Sequence, residues 1–341
     1  MILNYEQIKS VTKGALQIEE TPEGKFKFYR FDSHGRNYYE NVATPDMTLK
    51  SLASAGVFLE FVTDSETFEF TYDVKKASSR TYYYFDVYVD DILRAHKGEQ
   101  NMWICHGKIS LDLTQFSYKV CSGKESGSEH KVTLWLPALS HCQISNVTLS
   151  DGASLKAVPY TRKMICFGDS ITQGYDAYFP SKSYVARLAK HFDAFTVNNA
   201  IGGEKFVPAL LNDNPEFIPD IVTVAYGTND WSGKLREDFE KSCTEFFEKA
   251  AKIYPDALKF AILPIWRADG KRIPKNYGGS FDEACEFIEA RARENGFHVI
   301  DGRYIIPRDP DFYWDARLHP NDMGFGEYAA GLIPEIEKYL K

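Results

Sequence analysis

A serine, an asparagine and a histidine in the second half of the chain have the side chains that ester cleavage requires. Ser170 and Asn229 each come shortly after an apolar run, where a strand is expected to end. His319 precedes the last helical pattern of the chain, and Pro320 disfavours a helical conformation for it. A hydroxyl nucleophile, an amide donor and an imidazole base are the groups that catalyse acyl transfer. The sequence therefore predicts an acyl-transfer site, provided that the three residues meet.

Taken singly, each of these motifs also has an ordinary structural explanation. Ser170 could cap a helix or form a turn, and Asn229 could do the same within the sequence Gly-Thr-Asn-Asp. Asn321 or Asp322 could simply cap the last helix. The combination is more informative, because the loops that follow the strands of a parallel sheet lie at one edge of it, where ligands bind.

The elements that must position these residues alternate between strand and helix from Arg162 onward. Short apolar runs predict strands over residues 163–167, 195–198, 221–226, 260–263 and 298–300. Helical patterns between them predict helices over residues 184–191, 237–253, 281–295 and 323–340. Alternation of this kind predicts an α/β domain in which helices cover both faces of a parallel sheet.

The first 150 residues have a different pattern, with many short runs rich in aromatic and β-branched residues. Strands are predicted over residues 56–62, 67–74, 82–89, 131–136 and 143–149, with turn-forming stretches at 75–80, 90–91 and 122–129. This predicts an all-β sandwich of jelly-roll type. A polar stretch at 150–163 predicts a linker, so we expect domains over residues 1–155 and 156–341.

Composition limits the classes of partner. The chain has 341 residues, which predicts about two domains, and 40 basic against 48 acidic residues give a net charge of −8. This charge disfavours nucleic acid as the main partner. No apolar run approaches the roughly 20 residues of a membrane helix, and the first residues lack the apolar core of a signal peptide. We therefore expect no membrane partner, a cytoplasmic location, and free thiols at the six cysteines.

Four blocks of sequence are specific enough to indicate a family. GDSIT, NNAIGG, GTND and HPN resemble, in order, the conserved blocks of the SGNH (GDSL-type) hydrolases, and the resemblance spans roughly residues 163–341. It implies a three-layer, flavodoxin-like domain in which Ser170 is the nucleophile and His319 the base. It also implies an oxyanion hole formed by the N–H of Ser170, an N–H of the second block and the amide of Asn229. The β half resembles the accessory jelly-roll domain of some SGNH carbohydrate esterases.

The sequence departs from this family pattern at two positions. Ala200 stands where the second block has glycine, although alanine keeps the backbone N–H that the oxyanion hole uses. The acid of the triad is usually three residues before the histidine, where this chain has Ala316, whereas Asp315 lies four before. We expect Asp315 to orient His319, with a backbone carbonyl as the alternative.

The resemblance also implies the substrate class. We expect hydrolysis of an O-acyl ester, above all of O-acetyl groups on carbohydrate, without a metal or organic cofactor. The partner would be a small-molecule or oligosaccharide ester. Candidate substrate contacts are Asp169, Gly203, Trp231 and Trp266, although either tryptophan could equally be a packing residue.

Other functions remain open at this point. The chain could be a carbohydrate-binding protein with little or no turnover, or a lipase acting on short-chain lipid esters. A metal site in the β half is disfavoured, because the spacing of its cysteines and histidines matches no usual zinc pattern. The candidates for it are Cys105, His106, Cys121, His130, His141 and Cys142. A nucleotide-binding domain is disfavoured because no glycine-rich phosphate motif follows a strand.

Overall fold

The chain folds into two compact units. A computed structural model describes residues 1–116 and 129–340, so Cys121 and most of the turn-forming stretch at 122–129 lie outside the described residues. The first unit contains residues 1–30, 49–160 and 179–181. The second contains residues 31–48, 161–178 and the chain from 182 onward.

The first unit consists mainly of two antiparallel sheets. Its strands are β1 (Thr12–Lys13), β2 (Gln17–Glu20), β3 (Phe26–Tyr29), β4 (Phe58–Thr63), β5 (Thr67–Lys76), β6 (Tyr83–Val89), β7 (Ile92–Glu99), β8 (His106–Asp112), β9 (His130–Trp135), β10 (Ser140–Leu149) and β11 (Lys156–Ala157). One sheet has the order β1-β4-β9-β6-β7, with β11 paired to β4, and the other has the order β2-β3-β10-β5-β8. Both sheets contribute to one buried core, with Phe61 and Phe85 from the first and Phe28 and Phe70 from the second. The predicted β-sandwich is confirmed, while its jelly-roll type stays a prediction.

Three short helices near the start of the chain were not predicted. They are α1 (Tyr5–Val11), α2 (Ser33–Asn41) and α3 (Pro45–Ser51), each of two turns or slightly more. The longest of them, α2, contains no aliphatic residue and therefore shows no apolar helical period.

Residues 31–48, which the sequence analysis assigned to the β domain, belong to the second unit. Phe31 and Tyr39 of the segment 31–48 form a buried cluster with Ile201 and Leu210. The second unit is therefore not continuous in sequence. The domain bounds expected from the sequence, residues 1–155 and 156–341, stay a prediction.

The second unit is built on a parallel sheet. Its strands are β12 (Arg162–Gly168), β13 (Ala194–Ala200), β14 (Ile221–Ala225), β15 (Leu258–Ile262) and β16 (His298–Ile300). Their order is β13-β12-β14-β15-β16, and every pair is parallel. Renumbered within the unit this is 2-1-3-4-5, the strand order of flavodoxin-like sheets. The flavodoxin-like domain that the family resemblance implies is thereby confirmed.

Helices cover both faces of this sheet. They are α4 (Ser170–Gln173), α5 (Tyr184–His191), α6 (Thr228–Gly233), α7 (Arg236–Ile253), α8 (Phe281–Glu294) and α9 (Asp322–Glu337). Met164 of β12 is buried in a cluster with Leu188 of α5 and Leu332 of α9. Phe167, on the opposite face of the same strand, lies 5.7 Å from the ring of Phe246 in α7. The three-layer prediction is confirmed.

The pairing register aligns the carboxyl ends of the three strands β13, β12 and β14. Gly168 at the end of β12 is paired with Ala200 of β13 and with Ala225 of β14. The loops that follow these three strands therefore start side by side at one edge of the sheet. Across residues 1–116 and 129–340, none of the helices has the length and apolar character needed to cross a bilayer.

Candidate active site

Ser170 lies at the first position of α4, directly beyond β12. Asp169 caps this helix, because its carboxylate accepts a hydrogen bond from the N–H of Ile171 at 2.9 Å. A Cβ on Gly168 would lie 2.1 Å from Thr172 Oγ1, so only glycine permits this tight strand-to-helix turn. The turn places the Ser170 hydroxyl at the carboxyl edge of the sheet.

The structure brings Ser170 and His319 together across 149 residues of sequence. The distance from Ser170 Oγ to His319 Nε2 is 3.0 Å, a hydrogen bond. The loop that carries His319 is held by a hydrogen bond of 2.8 Å from the N–H of Trp314 to the carbonyl oxygen of His319. A nucleophile and a base within hydrogen-bonding distance are the central pair of an acyl-transfer site.

Asp315 reaches the other nitrogen of the same ring. Its Oδ2 lies 2.8 Å from His319 Nδ1, while its Oδ1 accepts hydrogen bonds from the backbone N–H groups of Leu318 at 2.7 Å and of Arg317 and His319 at 3.0 Å each. Ala316 has a φ of +52°, and this left-handed residue folds Asp315 back towards the ring. The loop thus accommodates the acid one position earlier than in the family pattern.

The environment of Asp315 favours its charged form. Burial alone would raise the pKa of this carboxyl, but the hydrogen bonds from the His319 ring and from the backbone of Leu318 and His319 outweigh burial. The pKa of Asp315 is therefore well below its ordinary value. A permanently ionised partner suits a histidine that must become positively charged during the reaction.

A second carboxylate near His319 was missed by the sequence analysis. Asp176 Oδ2 lies 3.8 Å from His319 Nδ1, and its side chain is completely buried. The only signal in the sequence is that this aspartate follows Ser170 by six positions. Nothing in that spacing shows that the chain turns back towards the histidine loop.

The candidate donors of the oxyanion hole differ in their hydrogen bonds. One N–H of the Asn229 side chain donates to the carbonyl of Glu204 at 3.0 Å, which leaves the amide with a second N–H. The N–H of Ala200, by contrast, donates to Asn198 Oδ1 at 3.2 Å and is buried.

Two backbone donors have no such partner. Within residues 1–116 and 129–340, neither the N–H of Ser170 nor that of Gly203 donates to a protein acceptor. Gly203 is exposed and has a φ of +90°.

A buried pair supports the loop that contains Gly203. Tyr39 donates a hydrogen bond of 2.6 Å to the carboxylate of Glu204, and both side chains are buried. The carbonyl of the same Glu204 accepts the bond from Asn229. The segment 31–48 therefore helps to hold the second and third blocks in place.

Of three predicted substrate contacts, two are buried and one is half-buried. Trp231 is fully buried and donates to the carbonyl of Gly279 at 3.2 Å, so it is a packing residue and not a substrate contact. Asp169 is likewise buried as the cap of α4, and burial raises its pKa to about 7. Trp266 is half-buried, with its ring 5.2 Å from that of Tyr313.

Trp314 is an exposed aromatic residue in the loop that carries His319, and the sequence analysis did not select it. It is 51% exposed and immediately precedes Asp315. Its ring lies nearly parallel to that of Tyr178, at a centroid distance of 6.4 Å.

The described residues that were considered for a metal site in the β half do not form a cluster of metal ligands. His130 Nδ1 lies 2.7 Å from Asp90, and burial lowers the pKa of His141 to about 4. In the part of the chain that the structure describes, no three metal-ligating side chains form a group, and five cysteines are free: Cys105, Cys142, Cys166, Cys243 and Cys285.

The comparison of sequence families agrees with the geometry of the site. Residues 166–325 match the GDSL-like lipase/acylhydrolase family, and this range includes Ser170, Asn229 and His319. The match covers 160 of the 341 residues. The resemblance of the four blocks to GDSL-type hydrolases is thereby confirmed, and with it the class of carboxylic ester hydrolases. No curated protein matches the chain in sequence.

Solved structures resemble the chain over residues of both units. A salicylyl-acyltransferase from a tetracycline biosynthetic pathway is 20% identical, with a TM-score of 0.76 over 96% of this chain and 94% of the other. A family two carbohydrate esterase from Clostridium thermocellum, in complex with cellohexaose, is 18% identical, with a TM-score of 0.61 over 84% and 94%. An acetyl xylan esterase from Butyrivibrio proteoclasticus is 17% identical, with a TM-score of 0.53 over 84% and 90%. At these identities the likeness concerns the fold.

Proposed function

We propose that this protein hydrolyses O-acyl esters, with O-acetyl groups on carbohydrate as the expected substrates, through a covalent intermediate on Ser170. The observation that carries the proposal is the chain of two hydrogen bonds from Ser170 Oγ to His319 Nε2 at 3.0 Å and from His319 Nδ1 to Asp315 at 2.8 Å. This is the arrangement of a serine nucleophile, its base and the acid that orients the base.

The first half of the reaction acylates Ser170. Its Oγ attacks the ester carbonyl while His319 Nε2 takes the hydroxyl proton, and the proton then passes to the departing alcohol. Asp315 accepts the hydrogen bond from Nδ1–H, which keeps the lone pair on Nε2 facing Ser170. Its negative charge stabilises the imidazolium that forms.

Hydrogen-bond donors stabilise the oxyanion of the tetrahedral intermediate. In our proposal these donors are the N–H of Ser170, the N–H of Gly203 and the second side-chain N–H of Asn229. Gly203 replaces Ala200 in this role, because the N–H of Ala200 would first have to leave Asn198. The bond from Asn229 to Glu204 supports this assignment, since Glu204 follows Gly203 directly.

Water completes the reaction. With the alcohol gone, His319 Nε2 removes a proton from a water molecule, which attacks the acyl carbonyl. His319 then returns the proton to Ser170 Oγ as the acyl–Oγ bond breaks and the acid is released. None of these steps requires a cofactor.

The alcohol half of the substrate is inferred from two lines of support. Two of the similar structures are a carbohydrate esterase and an acetyl xylan esterase. In this chain, Trp314 and Tyr178 offer nearly parallel aromatic rings beside the histidine loop, and sugar rings stack well on such faces.

Replacement of Ser170 by alanine tests the proposal. We expect turnover of an aryl acetate to fall by more than about a thousandfold, because the variant lacks the nucleophile. A fluorophosphonate probe should label the wild-type protein and not the variant, with the adduct located on Ser170 by mass spectrometry.

Ser242→Ala is the matched control, because it removes a serine hydroxyl from the outer helix α7. It should keep wild-type turnover and labelling. Wild-type turnover in Ser170→Ala would refute the proposal. Binding of acetylated oligosaccharides by a wild-type protein that turns over none of them would favour the carbohydrate-binding alternative.

A further inference from the structure

The imidazole of His319 faces two aspartates on its Nδ1 side. Asp315 Oδ2 lies 2.8 Å from Nδ1 and Asp176 Oδ2 lies 3.8 Å from the same atom. We propose that Asp176 is a second positioning residue for the reaction, which acts through His319 by stabilising its protonated form and by serving as the partner of Nδ1 when Asp315 is replaced. This inference rests on the proposed function of His319 as the base.

The two distances give the aspartates different roles. A single N–H can donate a full hydrogen bond to only one of them, and at 2.8 Å this is Asp315. At 3.8 Å, Asp176 interacts with a charged ring mainly through its negative charge. This interaction strengthens as the imidazole gains a proton, so it favours the transition state over the resting enzyme.

Burial makes the charge of Asp176 more effective than an exposed one. Its side chain is 0% exposed, whereas that of Asp315 is 25% exposed. Solvent screens a buried pair less than an exposed pair, so Asp176 influences His319 strongly despite the longer distance.

The backbone around Asp176 is shaped to bring its carboxylate to the ring. Gly174 ends α4 in the left-handed conformation, and Asp176 itself has a φ of +69°. Aspartate and asparagine tolerate this conformation better than most residues, but it still costs energy. The ring of Tyr175, between them, lies 5.9 Å from the imidazole ring of His319. A strained turn that points a buried carboxylate at the catalytic base is the pattern expected of a functional position.

The charged groups around His319 reinforce one another. Asp315 faces the ring from its own loop, Asp176 from the turn after α4, and Asp169 acts on it from the start of α4. The nearby guanidinium of Arg317 lies 3.3 Å from Asp269 and so has its own counter-ion. The carboxylates of Asp315 and Asp176 therefore both favour its protonated form, and Asp169 adds to them only where it is ionised.

Asp176→Asn is the decisive variant, because asparagine keeps the size and the left-handed tolerance of aspartate and removes only the charge. We expect kcat for an aryl acetate to fall about tenfold while KM stays within about twofold. We also expect the acid limb of the pH–rate profile to move to lower pH by about one unit, because loss of a nearby anion makes protonation of the base harder. A purely structural role would not move this limb.

Double substitution tests whether Asp176 can replace Asp315. If it can, Asp315→Asn should keep at least about 1% of wild-type kcat, which is a loss of no more than about a hundredfold. The same substitution of the triad aspartate in a serine protease lowers kcat by about 10⁴. Adding Asp176→Asn to Asp315→Asn should then cost more than it costs in the wild type. If Asp176→Asn does not fold, the kcat of Asp315→Asn alone still tests whether Asp176 can replace Asp315, since this variant leaves Asp176 intact.

Asp193→Asn is the matched control, because Asp193 is exposed and has a φ of +47° in the same unit. It should behave as the wild type. Wild-type kcat and an unmoved acid limb in Asp176→Asn would overturn the inference, provided that Ser170→Ala is inactive. If Ser170→Ala is active, the proposed function itself has failed, so the two failures are distinguishable.

Discussion

At the scale of single residues, Asp169 has the position expected of a substrate contact, but its role is structural. Its position beside Ser170 suggests a contact with substrate, but the carboxylate caps α4 inside the protein. Burial raises the pKa of Asp169 from an ordinary value of 3.8 to about 7. The turn that presents the nucleophile therefore contains a group whose charge is costly at neutral pH.

This pKa shift predicts a pH-dependent difference in stability between the wild type and Asp169→Asn. Between about pH 4 and pH 7 the folded protein binds the proton that the unfolded chain releases, so stability is lost as the pH rises. Asparagine keeps the capping oxygen and cannot ionise. Relative to the variant, the wild type should lose about 2–3 kcal/mol of unfolding free energy between pH 5 and pH 7.5.

Urea denaturation of both proteins at these two pH values measures the difference, and contributions from all other groups cancel. Asp193→Asn should show no such change, because its carboxylate is exposed. Equal differences at both pH values would show that Asp169 is ionised freely in the folded protein.

At the scale of elements, the loop before α9 determines whether the triad can form. Asp315 lies one position earlier than the family pattern expects, and the left-handed Ala316 compensates for this offset. Three backbone N–H groups then hold the Asp315 carboxylate in place. The loop conformation therefore matters as much as the presence of the acid.

Two substitutions of Ala316 should have opposite outcomes. Glycine adopts positive φ freely, so Ala316→Gly should keep kcat within about twofold. Valine is strongly disfavoured at positive φ, so Ala316→Val should shift Asp315 away from Nδ1 and lower kcat at least about tenfold. Steady-state kinetics on an aryl acetate provide the measurement.

Ala268→Val adds the same bulk to an exposed residue of a neighbouring loop whose φ is not positive, and it should be neutral. Full activity in Ala316→Val would show that the position of Asp315 does not depend on this backbone conformation.

At the scale of the whole molecule, the two compact units do not follow the order of the sequence. The segment 31–48 precedes most of the β sandwich, yet it packs in the second unit through Phe31 and Tyr39. It also supplies the hydroxyl that binds the buried carboxylate of Glu204. A cut at the linker therefore removes part of the support of the candidate site.

A fragment of residues 156–341 should consequently be less stable than the full chain and should lose most of its activity. Without segment 31–48, Ile201 and Leu210 become exposed and Glu204 loses its partner Tyr39. Thermal unfolding and turnover of an aryl acetate, compared with the full chain, provide the measurement. Joining residues 31–48 to the fragment through a flexible linker should restore part of both, whereas a bare fragment with full activity would disprove the prediction.

Sequence alone predicted the parallel strands and the longer helices of the second unit and the residue types of the site. Predicted strands such as 163–167 and helices such as 184–191 agree with the structure within one or two residues, because the spacing of their apolar residues reports which side chains are buried. The blocks around Ser170, Asn229 and His319 were recognisable because local turns and caps restrict which residues can occupy them.

Tertiary structure alone decided which groups meet. Asp176 approaches His319 and Tyr39 reaches Glu204 only through folding across more than 140 positions, and no local pattern encodes such contacts. Likewise Trp231 is buried and Trp314 is exposed, although both are aromatic residues next to conserved-looking blocks. Periodicity and local propensity act over a few residues, whereas distances between charges, and exposure to solvent, depend on how distant segments pack.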